Sequence, residues 1–196
     1  MLRDPVPVRE RTRRTVRGEL AQLAMDLFVE NGYDETTIDD LAAAAGMSKR
    51  TFFRYFASKE ELVMGKYEVL GEQLAEDLAA RPADEPIWVS LRQVFGQIVD
   101  HVESGGTAAV AMEKMVRDHP ALNASYLERV SRMQELLHDE ARTRTGWPDP
   151  ADPRTAAIVG AAFSCLMAAW ATWLTTNQAQ PFGDLLDQTM DAIQPT

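Results

Sequence analysis

At 196 residues, with 45% hydrophobic and 26% charged side chains, the chain has the make-up of a soluble globular protein of one or two small domains. Its single cysteine, Cys165, excludes an intrachain disulfide framework and fits a reducing compartment, and the arginine-bearing N-terminus lacks the apolar run of a secretory signal, so a cytoplasmic location is expected. The net charge of −10 is uneven: residues 1–56 hold nine basic and nine acidic side chains, so the remainder carries the whole acidic excess and any polyanion is expected to meet the N-terminal part.

Residues 1–8, with Pro5 and Pro7, are expected to be disordered. Arg9, Arg11, Arg13, Arg14 and Arg17 crowd the next stretch and make 1–17 a basic arm, read either as a segment that follows a phosphate backbone or minor groove or as a solvated tail. From about Thr12 to Asn31, Val16, Leu20, Leu23, Ala24, Leu27 and Phe28 recur at helical spacing, and Asn31-Gly32 reads as a C-terminal stop. Thr37 followed by Asp40 is a capping box, and a short helix with Ile38, Leu41, Ala42 and Ala45 on one face ends at Gly46. Ser48 caps a second short helix, expected over 48–55, that turns Phe52, Phe53 and Phe56 towards a core and leaves Lys49, Arg50, Thr51, Arg54 and Tyr55 outward. Ser58 with Glu61 caps a third, which runs on through Leu62, Tyr67, Leu70, Leu74 and Leu78.

Two short helices joined by a glycine-containing turn make a helix-turn-helix, whose second helix enters the DNA major groove. The outward residue types suit that role: lysine and arginine meet phosphate or the acceptor edge of guanine, and threonine reaches phosphate or a thymine methyl. Through Gly32-Tyr33-x-x-Thr-Thr37, Leu41-Ala42-x-x-Ala45-Gly46-Met47-Ser48, Thr51-Phe-Phe-x-Tyr-Phe56 and Ser58-Lys59-Glu-Glu-Leu62, the first third of the chain resembles the TetR-type (tetracycline-repressor-like) family of bacterial regulators. The resemblance implies that Thr37, Ser48, Lys49, Arg50, Thr51, Phe53, Arg54, Tyr55 and Lys59 lie on or near DNA, with Thr37 and Lys59 on phosphate and Arg13 and Arg14 of the basic arm beside them. Phe53 stands where the family usually has a tyrosine, so apolar contact with a thymine methyl replaces a backbone contact there, and Arg50 stands where the family often has glycine.

Arg81-Pro-Ala-Asp-Glu-Pro86 interrupts the helical pattern. The expected domains are a DNA-binding unit over 1–60 and a helical ligand-binding and dimerisation unit over 61–196, with helices in the latter at about 86–103, 107–118, 121–145, 154–177 and 183–193. No alternating run with hairpin chemistry is present, so the fold class is all-α. Thr155 to Gly183 carries no charge and 156–174 is long enough to span a bilayer, which makes a membrane-anchored or structural helical protein the alternative. Its bulky Val159, Phe163, Leu166, Met167, Trp170, Trp173 and Leu174 form a stripe beside small residues, however, as expected of a helix packed in protein.

Trp88, Phe95, Met112, Met115, Tyr126, Met133, Phe163, Met167 and Trp170 are adaptable or aromatic groups that either fill a core or line a small-molecule cavity. The resemblance implies an inducer pocket in this part and a homodimer built on the last two helices, with Gly160, Ser164, Ala168, Leu185, Leu186, Met190 and Ile193 as interface candidates. Asp39-Asp40, Arg50-Thr-Phe-Phe-Arg-Tyr-Phe56, His119-Pro-Ala-Leu122, Arg144-Thr-Gly146 and Trp173 look like an actinobacterial-type subset, some of whose members respond to fatty acyl-coenzyme A. An enzyme is not expected: His101, His119 and His138 have no metal-motif context, Glu135-x-x-His138 lacks a second copy, Cys165 sits in the most apolar helix, and glycine-rich phosphate loops are missing, so neither metal nor cofactor is expected. The expectation is a ligand-responsive regulator, a repressor reading a palindromic double-stranded operator as a homodimer, with a small apolar or acyl-coenzyme A effector as its second partner and no membrane.

Overall fold

The computed structural model describes the backbone of residues 8–147, 149 and 151–193, with side chains throughout except at 8–12, 14 and 107–109. Among these residues the chain is helical and has no strand. The expected disorder of residues 1–8 falls largely outside the described residues; helix α1, Val8–Asn31, already includes Val8 and carries the arginines of the basic arm. Helix α2 is Ile38–Ala44, α3 is Lys49–Phe52 and α4 is Lys59–Ala80. Then come α5, Ile87–Val94; α6, Gly96–Ser104; α7, Gly106–Asp118; α8, Pro120–Arg144; α9, Pro153–Thr175; and α10, Phe182–Asp191.

Two compact units emerge. The first comprises 1–66 together with 111–123, the second 67–110 with 124–196. Helices α4, α7 and α8 therefore each continue from one unit into the other along the chain.

In the first unit, Leu20, Ala24 and Phe28 of α1, Leu41 and Ala42 of α2, Phe52 and Phe56, and Leu62, Val63 and Met64 of α4 are buried; the four-residue spacing in α1 is one apolar face, whereas three consecutive buried residues show the start of α4 enclosed on more than one side. Phe52 and Phe56 lie with ring centroids 6.0 Å apart. Met112, Val116 and Leu122, from the segment that returns to this unit, are buried as well.

In the second unit α9 is central, with Val159, Ala162, Phe163, Cys165, Leu166, Ala169, Trp170 and Trp173 buried along one face. Trp170 and Trp173 meet Phe182 of α10 at 5.1 and 5.9 Å between centroids. By length and composition α9 could cross a membrane, but its bulky stripe is covered by the chain's own α5 and α10. Burial raises the Cys165 thiol pKa, so the sulfur stays a protonated donor to the Thr189 carbonyl at 3.3 Å.

The helix expected over 86–103 is two helices. Phe95 ends α5 and begins α6, accepting from the backbone N–H of both Ile98 and Val99. Its fully buried ring is held edge-on against Phe163 at 5.2 Å, and the poor helix former Gly96 follows, so packing and propensity break the helix at the same place.

Arg144 closes the end of α4. Its guanidinium donates to the carbonyls of Leu78 at 3.0 Å, Arg81 at 2.7 Å and Pro82 at 2.7 Å, a second donor for Leu78 and Pro82, which also accept turn bonds from the N–H groups of Arg81 and Glu85. Beside it, Ser90 donates to Glu85 at 2.6 Å and Arg81 Nε to Glu85 at 2.8 Å. Hydrogen bonds from Arg81, then from Ser90, hold the Glu85 carboxyl down at about 2.

Candidate nucleic-acid interface

Helix α2 begins with both halves of its capping box made: Asp40 N–H donates to Thr37 Oγ1 at 3.2 Å and Thr37 N–H to Asp40 Oδ2 at 2.9 Å. The hydroxyl of Thr37 also donates to that carboxylate at 2.6 Å, and these hydrogen bonds, side chain first, hold the Asp40 pKa below its ordinary value. The turn to α3 needs Gly46 at φ +65°, where a side chain would strain the backbone. Ser48 Oγ then accepts from Thr51 N–H at 3.2 Å and lies 2.9 Å from the Thr51 hydroxyl.

The expected 48–55 helix is shorter: α3 covers Lys49–Phe52, and the chain continues in tighter turns, with Arg54 N–H donating to Thr51 at 3.1 Å and Tyr55 N–H to Phe52 at 2.9 Å. The reason lies in what claims the following residues. Arg17 donates to the Tyr55 carbonyl and to Glu61 Oε1, the latter at 2.9 Å, and sits 4.4 Å over the Phe56 ring. Glu61 in turn accepts from Ala57 N–H at 2.5 Å. Burial opposes the Glu61 charge, but these bonds from Ala57 and Arg17 together bring its pKa below the usual value. Arg17 is thus part of the support beneath α3 and the turn that follows it.

On the outside, Lys49, Arg50, Phe53 and Arg54 are exposed and Thr51 and Tyr55 half-buried. Phe53, expected to turn towards the core as well as to lie near DNA, keeps 47% of its surface accessible, a large apolar exposure beside two guanidinium groups. Lys49 Nζ pairs with Asp39 Oδ2 of α2 at 3.0 Å, both ends well exposed. Arg13 is exposed on α1, and the Arg14 side chain lies outside the described residues.

Lys59 is placed differently from a free phosphate contact. Its ammonium donates to the carbonyls of Tyr33 at 2.5 Å and Thr36 at 3.1 Å, with Asp34 at 3.5 Å, and stands 4.2 Å over the Tyr33 ring. It closes the loop between α1 and α2 from the start of α4. Thr36, buried in that loop, donates to the Gly32 carbonyl at 2.7 Å. Burial, then the charges of Glu60 and Asp34, push the Tyr33 hydroxyl up to about 12, so it stays protonated.

The residues read as core or pocket divide. Met112 and Met115 belong to the first unit. Trp88, Phe95, Met133, Phe163 and Trp170 are buried in the second. Tyr126 donates to Met167 Sδ at 3.4 Å and meets the Tyr67 ring at 5.1 Å. A small groove between α4 and α8, with room for little more than a water molecule, is lined by Tyr67, Glu68, Gly71, Arg129, Arg132, Met133 and Leu136, of which only Met133 was anticipated. It exists because Gly71 lets α8 approach: a Cβ there would lie 2.9 Å from Met133 Cγ.

The interface candidates also divide. Leu185, Leu186 and Met190 lie on the buried face of α10, which packs on α9 and α6 of the same chain. Ser164 and Ala168 are exposed, Gly160 is half-buried and Ile193 retains 51% of its surface accessible.

Comparison with known proteins agrees with this geometry. Residues 20–64 match the model of bacterial regulatory proteins of the tetR family, and residues 85–196 match the MftR C-terminal domain. The HTH-type transcriptional regulator TcmR of Streptomyces glaucescens is 33% identical over 145 residues, covering 71% of this chain and 64% of that protein. The putative mycofactocin biosynthesis transcriptional regulator MftR of Mycobacterium tuberculosis is 38% identical over 64 residues, 33% of this chain and 32% of that protein. The chain thus spans less than two thirds of the length of either relative. Thermus thermophilus FadR, a repressor solved in complex with lauroyl-CoA, superposes with a TM-score of 0.62 at 19% identity, covering 90% of this chain and 92% of that one, which shows a shared fold.

Proposed function

The chain belongs to the TetR family of bacterial regulatory proteins, and from that premise we propose that it is a cytoplasmic transcription regulator, a repressor that reads a palindromic operator as a homodimer and is released by a small apolar or acyl-thioester effector. One observation carries the DNA reading. Arg50, Phe53 and Arg54 stand exposed together on a short helix and turn, while the groups around them, Arg17, Glu61 and Thr37, are engaged in holding that helix and its neighbours. Exposed guanidinium groups on a rigid support suit bidentate contact with guanine, and Phe53 suits a thymine methyl. Lys49 contributes phosphate contact from the edge, giving up its exposed bond to Asp39, which contributes little to stability.

A lone reading head of this size covers few base pairs. Two related by a twofold axis read half-sites about 34–36 Å apart and multiply the discrimination. The exposed small-residue face of α9, at Ser164 and Ala168, supports close approach of a second copy. The acyl-thioester class is supported by the lauroyl-CoA complex of the structurally similar FadR and by the methionine and aromatic content of the second unit.

The test is salt-titrated selection from a random duplex library with purified protein, sequencing what is retained at elevated salt. A recovered palindrome is the expected result; failure of folded dimer to retain any sequence would sink the DNA reading. Melting the protein with a series of acyl-coenzyme A species then tests the effector, and no stabilisation at any chain length would remove that class.

A further inference from the structure

His119 lies between α7 and α8, both of which continue from the first unit into the second. It performs two jobs with its two ring nitrogens. Nδ1 accepts from the backbone N–H of Leu122 at 3.3 Å, the bond of an N-cap to the first turn of α8, and Pro120 follows at the position where proline's missing N–H costs nothing. A nitrogen that accepts carries no proton, so the neutral ring holds its hydrogen on Nε2. That nitrogen is 3.0 Å from Asp34 Oδ1, in the loop joining α1 to α2.

The ring itself meets the Tyr33 ring edge-on, with centroids 4.9 Å apart. Tyr33 also carries the Lys59 ammonium at 4.2 Å from its centroid. The loop 32–37 is therefore gripped by Lys59 through its carbonyls and by His119 through Tyr33 and Asp34. This loop ends in Thr37, the cap of α2, and α2 packs directly on the recognition helix, with Leu41 and Ala42 of the one and Phe52 of the other buried.

We propose that His119 is a positioning residue for operator binding, fixing through Tyr33 and Asp34 the loop that sets α2 and α3, so that the α7–α8 junction and the DNA-reading helix move together. The Asp34 side chain is 75% exposed, so its bond to His119 adds little to stability and its importance is geometric. The inference rests on the DNA-binding reading. By linkage, a junction that biases operator binding must itself be biased by the operator.

The experiment is hydrogen–deuterium exchange of the intact protein, free and saturated with a duplex recovered by selection, following peptides that cover 30–38 and 119–124. Saturation should slow exchange in both peptides, by about threefold or more at the junction. His119→Asn separates the two jobs: its carbonyl can still cap Leu122, but its side chain is too short to reach Asp34. The variant should fold, and saturation should protect 30–38 while leaving 119–124 unchanged. Asp34→Ala should do the same. If duplex leaves 119–124 unchanged in the parent, or if His119→Asn responds as the parent does, the positioning role is overturned while DNA binding stands. If no duplex is retained by the parent, the DNA reading fails first and this inference falls with it.

Discussion

Lys49 and Lys59 have the same charge and lie ten positions apart, yet the structure gives them different work. Lys59 makes charge-assisted bonds to two loop carbonyls and covers an aromatic ring, whereas Lys49 has one exposed carboxylate partner. Removing charged donors from satisfied acceptors costs about 1.5–3 kcal/mol, and an exposed pair is worth about 0–1 kcal/mol. Lys59→Ala should therefore lower the melting temperature by several degrees and weaken specific and random duplexes alike, while Lys49→Ala leaves the melt nearly unchanged and reduces the slope of log binding constant against log salt by roughly one unit. Equal melting temperatures for the two variants would contradict the assignment. Arg50→Ala, by contrast, should flatten sequence preference in the selection with little effect on the melt, since its side chain is exposed. The capping residues Thr37, Asp40 and Ser48 were legible from sequence because their partners are three residues away. The partners of Lys59 are 23 to 26 residues away, and no local pattern announces them.

Helix ends in this protein are held by identifiable charges, which makes one junction acid-sensitive. The carboxyl of Glu85, ordinarily 4.5, is held at about 2 by Arg81 and Ser90 beside the Arg144 clamp on the end of α4. Because the folded value is depressed, the stabilisation is complete above about pH 4.5 and is lost as pH falls from there through about 2. Glu85→Gln should accordingly be less stable than the parent at pH 6, with the gap closing steadily between pH 4.5 and 2.5; a gap independent of pH in denaturant melts would rule the linkage out. At this scale the sequence pattern located the interruption at 81–86, because prolines and a charged cluster signal it directly. It did not locate the break at Phe95 or the early end of α3. Both follow from side chains of distant elements, Phe163 in one case and Arg17 in the other.

For the whole molecule, the surface of α9 left over after intrachain packing is where a second copy is expected to bind. Ala168→Glu, at an exposed position, should leave helicity and melting cooperative but shift the protein to monomer in sedimentation, and weaken binding to a selected palindrome at least about tenfold. Persistence of the dimer would move the interface elsewhere. The all-α class, the helix-turn-helix with its capping residues and the order of helices were determined by the sequence itself, because hydrogen bonds to the next turn and the 3.6-residue period act within one stretch of chain. The return of 111–123 to the first unit, the burial of Leu185, Leu186 and Met190 against α9, the occupation of Lys59 and the double engagement of His119 were decided only by the tertiary structure. An apolar or charged residue at helical spacing says that its face will be covered or solvated, and only the packing of elements far apart in sequence decides what covers it.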